Sequence, residues 1–102
     1  MEPTIIYHIA NTKDWQKAPL TGTYFPASFE QENFIHCSTK EQVEGVLERY
    51  FKNQTVLKLT INVALLVHPP KYELAPFVNQ LFPHIYGPIN LDAVAAVEQI
   101  TG

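Results

Sequence analysis

From Thr55 to Val63 the side chains alternate. Leu57, Leu59, Ile61 and Val63 point one way, and Lys58, Thr60 and Asn62 point the other, with Val56 the one exception. A period of two describes a strand with one face in the core and one in water. A chain built around such a strand needs partner strands beside it and an apolar layer on one side.

The other elements are read in the same way. Thr4 to Ala10, with Ile5, Ile6, Tyr7 and Ile9, is a strand bounded by Asn11-Thr12. Phe34 to Cys37 is a short strand, and Ser38-Thr39 with Glu41 and Gln42 then stand at capping-box spacing. The helix they announce runs from Lys40 to Phe51. Its stripe is Val43, Val46, Leu47, Tyr50 and Phe51, opposed by Glu41, Glu44, Glu48 and Lys52. Gly45 inside it costs about 1 kcal/mol against alanine and signals close approach by a neighbour. Thr12 is expected to cap a short helix through Trp15 to Lys17, ended by Pro19, and Leu20 to Asn33 to form an ordered loop whose aromatic run folds back on the body. Lys71 to Leu74 makes a short strand, and Ala93 to Ile100 reads as a strand covered on both faces. One good helix among several short strands gives α+β, with a small, mostly antiparallel sheet. At 102 residues the chain holds one core, and residues 1–102 are read as a single domain.

Function classes fall away on composition. Cys37 is the only cysteine, so no disulfide forms within the chain, and a reducing cytoplasm is the expected location. The segment Met1 to Thr4 lacks a basic start, so no secretory signal is expected. No unbroken apolar run exceeds that from Val63 to Val67, far short of the ~20 residues a membrane helix needs, and no membrane partner is expected. Six scattered lysines and one arginine, Arg49, on a chain of net charge −3 argue against nucleic acid.

Three of the four histidines interrupt apolar runs, as Tyr7-His8-Ile9, Ile35-His36-Cys37 and Pro83-His84-Ile85. Alternation puts His8 with Ala10, His36 with Ser38, and His84 with Tyr86 on common faces. Polar groups that break a local pattern mark sites. The spacing carries no metal signature, so no metal is expected, and Cys37 reads as a small buried filler. Ser38 is expected at the helix cap, where free N–H groups form an anion site. Glu73, after two prolines and a tyrosine, is a rigidly held carboxylate, and Phe82 to Pro88 is a stiff aromatic wall for a flat ligand.

These residues carry a resemblance. The set Ile6-Tyr7-His8-Ile9-Ala10, Trp15, Gly22-Thr23-Tyr24, Pro26-Ala27-Ser28, Phe34 to Thr39 with Gln42, and Phe82-Pro83-His84-Ile85-Tyr86-Gly87-Pro88 resembles the domain-of-unknown-function family 952, a group of small, mostly bacterial proteins. In the order of its elements the chain is also similar to the ADP-ribosyltransferase superfamily, whose small split sheet binds NAD in a cleft. That resemblance implies an ADP-ribosyltransferase-like fold, with His8 on the ribose and Ser38-Thr39 ordering the site. The late catalytic glutamate of the superfamily has no counterpart, since the late strand offers His84 and Tyr86, with Glu73 earlier. The resemblance thus implies ligand contacts from His8, Tyr24, Ser28, Ser38 and Tyr86, and acid or base chemistry from His36, Glu73 and His84. The expected ligand is NAD or an ADP-ribose-like nucleotide, undergoing ADP-ribosyl-type transfer or hydrolysis. The alternative is a binding module that uses the same cleft without reaction.

Overall fold

The structure, a computed structural model, describes residues 3–76 and 78–101. Strand β1 (Ile5–Ala10) pairs antiparallel with β4 (Thr55–Asn62), which pairs antiparallel with β8 (Val94–Thr101). A second three-stranded sheet has the order β3 (Ile35–His36), β6 (Gln80–Ile85), β5 (Lys71–Ala75), and a two-stranded ribbon joins β2 (Thr23–Tyr24) to β7 (Ile89–Asn90). Every pairing is antiparallel. Among the described residues there are also three α-helices, α1 (Thr12–Thr21), α2 (Phe29–Glu32) and α3 (Val43–Tyr50), and two short 3-10 turns, Val63–Leu65 and Leu91–Ala93. Among the described residues no helix is long and apolar enough to cross a membrane.

The alternation in β4 does what its period requires. Leu57, Leu59 and Ile61, each contributing roughly 1.5–3 kcal/mol by burial, enter the larger core with Ile6, Ala10, Ile35 and Cys37. Val56, the exception to the alternation, is buried as well, because the opposite face is covered at that end of the sheet. There Ile9 and Val56 meet Val46 of α3 and Phe82 of β6 in a second cluster. The sheet is therefore wet on its second face only in part.

Several expectations are corrected. Asn11, not Thr12, caps α1, its side-chain oxygen accepting from the Asp14 N–H at 2.7 Å. The helix also continues past Pro19 to Thr21 and closes on Gly22, which is left-handed (φ 80°) and donates its N–H to the Ala18 carbonyl. Pro19 falls in the last turn, and its missing N–H withholds the intrahelical donor from one carbonyl only, that of Trp15. The stretch Leu20 to Asn33 contains β2 and α2. The helix expected from Lys40 begins at Val43. Ser38 does not cap it; its backbone exchanges two hydrogen bonds with Tyr7, at 2.8 and 2.7 Å. The Gln42 side chain does reach back to the Thr39 N–H at 3.0 Å, half of the capping box, but residues 40–42 form a turn. Finally, β8 is an edge strand with an exposed middle, not a strand covered on both faces.

Pro83 stands inside the central strand of its sheet, a rare place for a residue without an N–H. Its carbonyl accepts from the Cys37 N–H at 2.9 Å, and it has no proton to return. The β3–β6 ladder stops there. Freed from β6, the chain crosses over, and the next residue, Ser38, pairs with β1. One short segment thus joins two sheets that otherwise separate, and the candidate site lies along that seam.

Candidate functional site

His8, on β1, faces the seam from one side, and His36 and His84 face it from the other as a directly opposed pair in the β3–β6 register. Opposed residues in an antiparallel pair project to the same face, which brings His36 Nδ1 within 3.3 Å of His84 Nε2. Lys71 and Glu73 lie on that face one strand further out, opposite His84 and Phe82. Glu73 is therefore the diagonal neighbour of His84, and its carboxylate accepts from His84 Nδ1 at 2.8 Å.

The partners of His8 dictate its tautomer. Nδ1 lies 2.6 Å from the His36 carbonyl, which only accepts, so Nδ1 carries the proton. Nε2 is then a lone pair, and the Tyr24 hydroxyl donates to it at 2.9 Å. Burial pushes the His8 pKa down to about 4, so the ring is neutral at physiological pH. Burial also raises the pKa of Tyr24, which keeps its proton. Both nitrogens of His8 are thus taken, and its effect is to hold the His36 backbone in place. Tyr24→Phe is expected to strand the Nε2 lone pair in the core at a cost of about 1–3 kcal/mol. Urea unfolding of the variant measures this directly, and wild-type stability would show that the bond contributes nothing.

On the other side a chain of hydrogen bonds runs inward from the surface. The Tyr86 hydroxyl donates to Glu73, and the same carboxylate oxygen accepts from His84. These two donors hold the Glu73 pKa below its ordinary value, and the carboxylate in turn raises that of Tyr86. With Glu73 ionised, His84 Nδ1 bears a proton. A neutral His84 then accepts at Nε2 from His36 Nδ1–H, and His36 Nε2 is left as a bare lone pair. That atom is buried and has no partner among the described residues. Burial, with His84, His8 and Arg49 nearby, lowers the His36 pKa to about 4. Phe34 stacks on the His84 ring, 4.0 Å between centroids and 16° from parallel, and fixes its plane.

His36 stands where two hollows meet. The larger, of about 550 Å³, is walled mainly by apolar and aromatic side chains, among them Phe34, Phe51 and Phe82, with His36 and His84 as its imidazoles. The smaller, of about 140 Å³, is lined by His8, Ser28, His36 and Ser38. Both share Glu32, Val46 and Phe51. Of the three histidines, His36 lines both hollows, His8 only the smaller and His84 only the larger. Tyr24 does not line either hollow: it is 1% exposed, behind His8 and beside Trp15. Glu73 and Tyr86 stand behind His84 and do not line the hollows themselves. The expected anion site at the helix cap is displaced, because Ser38 sits five residues before the first helical residue, Val43, held to Tyr7. Cys37 is fully buried, and burial raises its pKa. Two charged wall residues, Glu32 and Arg49, escaped sequence reading. Glu32 gave no signal, but Arg49 did: the one arginine of the chain lies one helical turn from a glycine, Gly45.

With this geometry in place, known proteins offer three comparisons. The chain is similar to protein CC0527 from Caulobacter crescentus, whose crystal structure superimposes with a TM-score of 0.83 at 26% identity, covering 94% of this chain and 85% of that one. A double mutant of CC0527 matches with the same values. No curated protein matches. A family model described as "Protein of unknown function (DUF952)" matches residues 9–97, and the chain belongs to that family.

Proposed function

We propose that the seam is an acid–base site acting on a small, flat, nucleotide-like ligand held in the larger hollow. The single observation that carries this reading is His36 Nε2, a buried nitrogen without a partner among the described residues, on a side chain that lines an apolar cavity. Buried polar atoms are nearly always paired, so this one is reserved for a group that arrives. Behind it stands a proton path. When Nε2 takes a proton from the ligand or from a water beside it, the Nδ1 proton passes to His84 Nε2. Positive charge then rests on His84, against the Glu73 carboxylate, rather than on His36. The path explains how an imidazole whose own pKa is only about 4 serves as a base near neutrality. It also reverses: a His84 that starts protonated donates to His36 Nδ1 and presents His36 Nε2–H as an acid.

The likeness in element order to ADP-ribosyltransferases supports ribosyl transfer or hydrolysis as the reaction class, with His36 taking the proton of the attacking hydroxyl. A whole NAD is a poor fit. Its two phosphates would find one guanidinium, Arg49, and residues 40–42 at the start of α3 line neither hollow. A fragment with one anionic group matches the walls better. The alternative, binding without reaction, is favoured by the low basicity of His36 taken alone.

The test adds ADP-ribose, AMP and NAD in turn while the imidazole nitrogens are followed by NMR and the ligand by chromatography. A shift at His36 Nε2 together with consumption of one ligand is the expected result. A shift without consumption selects the binding module, and silence at His36 for every nucleotide overturns both.

A further inference from the structure

Arg49 is placed oddly for a surface arginine. It lies on the exposed side of α3, yet its guanidinium makes no hydrogen bond or ion pair among the described residues, and it lines the larger hollow. It folds back along its own helix, with Cζ 5.9 Å from the centre of the Tyr50 ring. What permits this is the residue one turn earlier. A Cβ built on Gly45 would stand 3.1 Å from Arg49 Nη1 and 3.6 Å from Cζ and Nη2. The neighbour that Gly45 accommodates is thus the arginine itself. A glycine inside a helix costs about 1 kcal/mol, and here it lets a planar cation lie flat at the mouth of a cavity. Glu32 also lines that cavity but stands at its junction with the smaller hollow, whereas Arg49 belongs only to the larger one. The two charges are not paired with each other. The larger hollow therefore has one cation at its mouth, aromatic walls, and His36 where it meets the smaller one.

We infer that Arg49, seated on Gly45, receives the anionic group of the ligand, and that the cleft selects ring-bearing molecules carrying one carboxylate or one phosphate. The inference rests on the reading above that the cleft binds a small ligand. Guanidinium suits either oxyanion, since both match its planar fork of donors. A ring against the aromatic wall and an oxyanion on Arg49 bring such a molecule to the hollow that His36 lines.

Two matched pairs of probes test this on the intact chain: nicotinate against nicotinamide, and AMP against adenosine. Each pair keeps its ring and differs in the anionic group, so the pairs also separate carboxylate from phosphate. In at least one pair the charged member is expected to bind roughly tenfold more tightly than its neutral twin, as for one charge-assisted contact. Arg49→Gln, a change at an exposed residue, is expected to abolish the preference. Gly45→Ala is expected to keep or raise thermal stability through its helix propensity and yet to shrink the preference, because the added methyl displaces the guanidinium. A stabilised variant that binds less well cannot be explained by misfolding. Equal affinities within both pairs, no binding by either charged probe, or a preference that survives Arg49→Gln overturns the inference. Charge-selective binding without turnover leaves it standing and removes the acid–base reading instead; turnover without charge preference does the reverse.

Discussion

Between pH 7 and pH 5 the protein is expected to lose on the order of 4 kcal/mol of folding stability, about 2 kcal/mol for each of His8 and His36. Both rings have pKa values near 4 in the folded chain, against 6.5 when exposed. Between those values the unfolded chain binds protons that the folded chain refuses. Stability is therefore fully present above 6.5 and drains away as pH falls toward 4. The cause is burial: neither ring can be charged without carrying an ion into a wall of apolar side chains. His8 would in addition have to give up the bond it accepts from Tyr24. Glu73 works in the same direction at lower pH. Its carboxyl is held below 4.5, so its contribution persists at pH 5 and is lost only beneath that. Against a total stability of roughly 5–15 kcal/mol for a domain, the effect is large enough to read from urea midpoints in two buffers. A midpoint that does not move would mean that both imidazoles can be protonated without cost, and that they are not enclosed as described.

On the acid–base reading proposed above, His36→Ala is expected to lower the rate by about 10²–10⁴, the usual contribution of a positioned acid or base. Glu73→Gln is expected to lose part of the same factor, since it removes the carboxylate that stabilises charge on His84 while leaving the His36 ring in place. The combined variant should be no slower than His36→Ala alone, because groups that act as one path do not contribute additively. This pattern separates catalysis from packing. Glu73 is partly exposed at the outer end of the path, so its loss disturbs neither core cluster. A double variant whose rate loss equals the product of the two single losses would show that the residues act independently.

The sequence made some of this legible for a clear reason. Strand and helix periods are local, so β1, β4, β5 and α3 were readable from runs of a few residues, and the three histidines stood out because each broke such a run. Boundaries were less legible where a capping or turn residue had two uses. Asn11 and Thr12 both suit an N-cap, and Ser38 suits a cap as well as the bridge it actually makes. Pro83 misleads for the opposite reason: proline argues against a central strand, and here the ladder ends at the proline while the strand continues through it.

The amino-acid order by itself determined which residues are apolar at which period, hence the α+β class, the strand faces and the identity of the residues that depart from pattern. Only the tertiary structure decided what those departures do. His8 and His36 occupy similar sequence settings, yet one has both nitrogens satisfied by Tyr24 and a carbonyl while the other leaves Nε2 buried without a partner among the described residues. Their partners come from segments 16 to 48 residues away in the chain. The hydrogen-bonding state of a side chain depends on groups that folding brings near, and no local periodicity encodes them.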